Sequence, residues 1–123
     1  HRLEGVRFLP RPVQLPRIPI WIAGMWPNRA PFRRAARWDG VFPIAVADGA
    51  PIPIGPDAFS EAVAFTRSLR TSDAPLDAVV QGAPDTEPGD YEAAGATWWL
   101  LADDGEEGWE EQVLAEIRRG PPR

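Results

Sequence analysis

The chain has 123 residues, 44% of them hydrophobic and 25% charged, which suits one domain or a piece of a larger one. With no cysteine and a single histidine at position 1, it excludes disulfides, thiolate catalysis, histidine-based metal sites and histidine triads, and no apolar run approaches the roughly 20 residues that span a bilayer. The net charge of −5 is split: residues 1–37 hold eight of the thirteen arginines against Glu4, and residues 38–123 hold five against seventeen acids.

His1-Arg2-Leu3 does not open a signal peptide, so a soluble, cytoplasmic protein is expected. The basic segment contains no lysine, and its arginines stand singly among prolines. That pattern reads as a solvated helix face with ion pairs to the acidic half, and no nucleic-acid partner is expected.

Residues 5–17, "GVRFLPRPVQLPR", carry three prolines that remove backbone donors, so residues 1–17 form an extended lead-in. Ile18 to Ala23 is a short β-branched and aromatic run, a buried strand ended by Gly24. From Asn28 a helix follows to about Trp38. Phe32, Ala35 and Ala36 lie on one side, Arg33, Arg34 and Arg37 on the other, with Asn28 as N-cap and Pro31 in the first turn. Asp39-Gly40 turns the chain into the strand "VFPIAVA".

A Pro/Gly-rich loop from Asp48 to Gly55 leads to the helix "PDAFSEAVAFTRSLR". Asp57 is its expected cap, and Phe59, Ala62, Val63, Thr66 and Leu69 form its stripe. "PLDAVVQGA" is a third strand, "DYEAAGA" a short helix and "TWWLLA" a fourth strand. An acidic loop follows from Asp103 to Gly108. The last helix, "WEEQVLAEIRRG", places Trp109, Val113, Leu114 and Ile117 on one side and stops at Gly120-Pro121.

Strand and helix alternate four times, which implies an α/β fold with parallel strands and right-handed crossovers. Four such units make either an open doubly wound sheet or half of a (β/α)8 barrel, because a whole barrel needs about 250 residues. In either case ligands gather at the carboxyl ends of the strands. Those positions are Ala23 to Asn28, Ile44 to Asp48, Gln81 to Ala83 and Ala102 to Asp104. Gly24 lets a ligand approach the backbone, and Arg29 adds positive charge beside a helix start. The competing reading is that Gly24 only turns the chain and Asn28 only caps. Asp103, Asp104, Glu106 and Glu107 could hold Mg²⁺ or serve as acid and base, but a solvated acidic loop explains them as well. Trp98 and Trp99 point to opposite faces of their strand, both read as core. Gln81 either caps a strand end or bonds a ring edge.

The segment "FLPRPVQLPRIPIWIAGMWPNRAPFRRAARWDGVFP" resembles the C-terminal part of the bacterial luciferase-like monooxygenases. In that family a Pro-x-x-Gln-x-Pro-x-Ile-Pro-[Ile/Val]-Trp run leads to a glycine-ended strand and an "RRAAR-x-DG" helix. "PLDAVVQG", "YEAAGATWWL" and "IRRGPPR" are similar to the tail of the family. The resemblance implies the C-terminal half of a (β/α)8 TIM barrel, one partial domain spanning 1–123, from an oxidoreductase using FMN or a deazaflavin (coenzyme F-420). It also implies that the cofactor lies beside Ala23, Gly24 and Met25, with Asn28 and Arg29 next to it. Many members carry a second glycine or a serine where Met25 and Trp26 stand. The flavin would do the redox chemistry on a small organic substrate, and no catalytic side chain is designated. With half of its pocket absent the chain is expected to be inactive alone and, with two open strand edges, to form a homo-oligomer. The alternatives are a non-catalytic α/β interaction module and an anion- or nucleic-acid-binding domain.

Overall fold

A computed structural model of the chain describes residues 4–5, 9–10, 13–82, 86–101 and 108–120. Its elements are β1 (Trp21–Met25), α1 (Arg29–Ala35), β2 (Gly40–Ala47), β3 (Ala50–Ile52), α2 (Pro56–Ser68), β4 (Asp77–Gly82), α3 (Pro88–Ala93), β5 (Trp98–Leu101) and α4 (Trp109–Arg119). The protein is therefore α/β, built on a parallel sheet of order β1-β2-β4-β5, with β3 added antiparallel to β2.

Each parallel strand lies beside its predecessor, so the strand order has no reversal. A doubly wound sheet reverses its order and covers both faces with helices. Here alternate strand residues Ile22, Val41, Ala78, Val80 and Trp99 share one cluster with Phe32 and Ala35 of α1, Phe59, Ala62 and Val63 of α2, and Tyr91 of α3. Side chains alternate across a strand, so these three helices all cover one face. The other face carries Trp21, Ala23, Met25, Phe42, Ile44, Gln81, Trp98 and Leu100.

Two glycines let the helix-side layer close. A Cβ on Gly24 would stand 2.5 Å from Pro31 Cβ, so the bare backbone lets α1 descend onto β1. On Gly82 a Cβ would stand 1.9 Å from Trp99 Cζ2, in the space the indole fills. Trp99 in turn meets the Tyr91 ring at 5.7 Å, and Tyr91 meets Phe59 at 6.0 Å. The Tyr91 hydroxyl donates to the Ile54 carbonyl at 2.6 Å, and burial, aided by the charge of Asp90, pushes its ionisation up.

The α1 end is tied by Arg70. Its guanidinium donates to the carbonyls of Trp38, just past α1, and of Ala74, in the loop before β4, each at 2.8 Å. Thr66, fully buried, returns its hydroxyl to the Ala62 carbonyl at 2.9 Å.

Several sequence expectations are corrected. The first strand begins at Trp21 rather than Ile18, because Pro19 cannot donate and Ile20 instead gives its N–H to the Asp39 carboxylate at 2.6 Å. The loop after Asp48 contains β3, closed by a two-residue turn in which Asp48 (φ 51°) and Gly49 (φ 81°) both take positive φ, the geometry of a type I′ hairpin. α2 is capped by Gly55 with Pro56 in its first turn, and Asp57 lies inside the helix. Leu69 falls past the end of α2 and is 42% exposed. Trp98 is 49% exposed, so of the two adjacent indoles only Trp99 packs on the core. The acidic residues 103–107 lie outside the described residues.

Candidate functional site

The carboxyl ends of the strands hold the five residues predicted to meet a cofactor, and the structure divides them between two environments. Ala23 and Met25 stand on the face without helices and are exposed, Met25 by 54%. Gly24 is buried and faces the helices, where Pro31 and Phe32 occupy the space a side chain would need. Asn28 accepts from the Ala30 N–H at 3.3 Å and so caps α1, as its position predicted. Arg29 lies with its guanidinium 4.8 Å from the centre of the Phe65 ring, a cation–π contact that turns it toward α2.

Why the chain turns as it does between Met25 and Asn28 follows from local bonds. The Asn28 N–H returns to the Met25 carbonyl at 3.0 Å around a cis Trp26-Pro27 peptide, and the Trp26 N–H extends the β1–β2 ladder to Ile44 at 2.9 Å. The Trp26 ring then meets Phe32 edge-on at 5.1 Å and Phe65 at 6.0 Å. The turn thus holds α1 against α2.

Further along the sheet, β2 and β4 pair only through Gly40↔Asp77 and Val41↔Ala78. Pro43, buried in β2, offers no N–H to continue such a ladder. Toward their carboxyl ends these two strands are therefore not bonded, and the bare face there is lined by Met25, Ile44, Gln81 and Leu100.

At the amino ends Trp21 and Asp77, which the sequence did not single out, join Trp98 across the bare face. The Trp21 indole N–H donates to the Asp77 carboxylate at 2.8 Å, and its ring lies 5.2 Å from that of Trp98. To reach them it crosses Gly40, where a Cβ would stand 2.4 Å from Trp21 Cδ1. Val79, the ladder partner of Trp98, is fully buried on this face. The available signal was an acid at the first position of an otherwise apolar run, "DAVV", immediately before three fully buried residues.

Electrostatically the tightest group is the clamp behind β1. Arg17 bonds both carboxylate oxygens of Asp39, one of them at 3.1 Å, and its guanidinium lies 5.2 Å from the Trp38 ring. These bonds, first the one from Arg17 and then the Ile20 N–H, hold the Asp39 carboxyl below the usual carboxylate range. Among the described residues no cluster of three or more acids or histidines is placed to hold a metal ion. No helix of the described residues is long and apolar enough to cross a membrane.

Comparison with protein-family models, curated proteins and solved structures returns no match for this chain.

Proposed function

We propose that the chain is the C-terminal half of a (β/α)8 barrel from a luciferase-like flavin- or deazaflavin-dependent oxidoreductase. The observation that carries the reading is the one-sided sheet. Four parallel strands follow in chain order, three helices cover one face, and the opposite face is left with apolar side chains in partial contact with solvent. Half of a ring has that construction, since in a barrel the uncovered face becomes the packed interior. The segment "PIWIAGMWPNRAPFRRAARWDG" supports the family by its resemblance.

Fit to a flavin can be judged from the side chains at the carboxyl ends. Ala23 and Met25, small and apolar or flexible and apolar, suit one wall beside a flat ring. Gly24 and Arg29 are engaged by Pro31 and Phe65, and Asn28 by the cap, so in this reading they shape the wall from behind and touch no phosphate. A bound flavin or deazaflavin supplies the electron or hydride transfer. The chain's own part is to present an apolar surface and exclude water there. The remaining wall belongs to the first half, and the 123-residue chain alone is inactive.

Reading the gene upstream of His1 and titrating FMN and a deazaflavin against the longer and shorter chains, followed by fluorescence, tests this. Four further βα units upstream, with micromolar binding by the longer form, are expected. Binding by neither form would discard the cofactor.

A further inference from the structure

We infer that the first half of the barrel brings an arginine or lysine side chain to Asp77 and encloses the ion pair at the amino end of the interior. The inference rests on the half-ring reading of the sheet and adds what the other half carries there. It is independent of the cofactor.

The bare face is apolar almost throughout. Of the side chains that the four parallel strands turn onto it, Asp77 alone is charged, and Gln81, toward the other end of β4, is a neutral amide. On a surface that stays wet, such a carboxylate costs little. The interior of a (β/α)8 barrel is a packed core, however, and a charge enclosed there persists only with a partner and with its hydrogen bonds filled.

Asp77 is only partly supplied. Its Oδ2 accepts the Trp21 indole N–H at 2.8 Å, and no second donor reaches the carboxylate among the described residues. A carboxylate has room for about four. No ion pair among the described residues includes it either. A neutral donor would add a bond and leave the charge uncompensated, so a cation is the partner that closure requires.

The acid is also fixed where it stands. Its backbone N–H donates to the Asp39 carbonyl at 2.9 Å, which ties the start of β4 to the start of β2. A Cβ on Gly40 would stand 2.4 Å from Trp21 Cδ1 and 2.9 Å from Asp77 Cβ, so the bare backbone between them lets the indole reach the acid. Trp98, with its ring 5.2 Å from that of Trp21, joins them on the same face. Asp77 is half-buried by these neighbours, and the side left open is the side that the first half covers in the ring.

The reading frame upstream of His1 and denaturant unfolding of the longer chain test this together. Four upstream βα units are expected, with an arginine or lysine at an inward position among the first residues of one strand. In the longer chain Asp77→Asn leaves that cation enclosed without its counter-charge, and it should raise the unfolding equilibrium constant by at least roughly hundredfold. Because that variant can fail to fold, a double variant, Asp77→Leu with the cation also made leucine, serves beside it. It should recover most of the loss.

Four upstream units without such a cation, an Asp77→Asn constant within about threefold of the parent's, or single and double variants whose effects simply add would each overturn the proposal. The absence of upstream units would overturn the half-ring reading and this inference with it. A longer chain that shows the ion pair and binds neither FMN nor a deazaflavin would uphold the inference and discard the cofactor alone.

Discussion

The two faces of the sheet use the same device to different ends. On the helix side Gly82 makes room for Trp99, which is wedged against Tyr91 and through it against Phe59. On the bare side Gly40 makes room for Trp21, which reaches Asp77 and Trp98 and stops there. The first indole is a link in a closed core. The second is the top layer of a surface, and beyond it lie side chains that remain partly wet. A glycine under a tryptophan therefore marks close packing on either face, and what the packing contributes depends on what lies above it.

Truncation of one residue from each face should expose the difference most strongly. Phe59 is fully buried among α2, α3 and the sheet, so Phe59→Ala should cost about 3–5 kcal/mol, a large part of a domain's stability. Ile44→Ala on the bare face should cost about 1 kcal/mol or less in dilute solution. Denaturant unfolding of both variants checks this. Equal costs in dilute solution would mean that the bare face is already covered.

The glycines offer the next contrast. Gly82→Ala should cost about 2–3 kcal/mol, because the new methyl overlaps an indole that Tyr91 prevents from moving. Gly40→Ala should cost about 1–2 kcal/mol, since Trp21 can swing outward even though the Asp77 backbone stays close. The second variant should also red-shift and weaken the tryptophan fluorescence as Trp21 leaves Trp98, a change Gly82→Ala should not reproduce in the same direction.

The helix side of this contrast was legible in the sequence, and the bare side was only partly so. The stripe Phe59, Ala62, Val63 and Thr66 has helical spacing and is buried as that spacing implies. Alternation of Trp98 and Trp99 placed them on opposite faces, but not which face was covered, because strand periodicity separates two sides without naming the inner one. At Gly24 the missing side chain read as room for a ligand or as a turn of the chain, and neither reading anticipates a helix packed against it. Only the position of Pro31 shows that the helix fills it. β3 escaped because Pro51 and Pro53 read as loop, although Asp48-Gly49 is a strong hairpin dipeptide. The Trp21–Asp77 bond joins residues 56 positions apart, a pairing that no local pattern encodes.

That bond gives a smaller test on the bare face alone. Trp21→Phe keeps a ring against Trp98 and removes the indole N–H, leaving the half-buried Asp77 carboxylate without its donor. The expected cost is roughly 1.5 kcal/mol. Adding Asp77→Ala to Trp21→Phe should then cost less than Asp77→Ala does in the parent chain, and strict additivity would show that the two do not interact.

The smallest effect is the one that anchors the lead-in to the sheet, and it is read by pH. Asp39 is held in its charged form by Arg17 and by the Ile20 N–H, so its folded-state ionisation lies below that of the unfolded chain. A depressed carboxylate stabilises the fold fully above its unfolded value, and that contribution fades as pH falls through the folded one. Stability measured by denaturant should therefore decline below about pH 4 more steeply in the parent than in Asp39→Asn. The pair is solvent-exposed, so the difference should be modest and should shrink in high salt. Parallel pH profiles for the two chains would show that Arg17 and Asp39 meet without stabilising anything, and that β1 is held in place by its ladder to β2 alone.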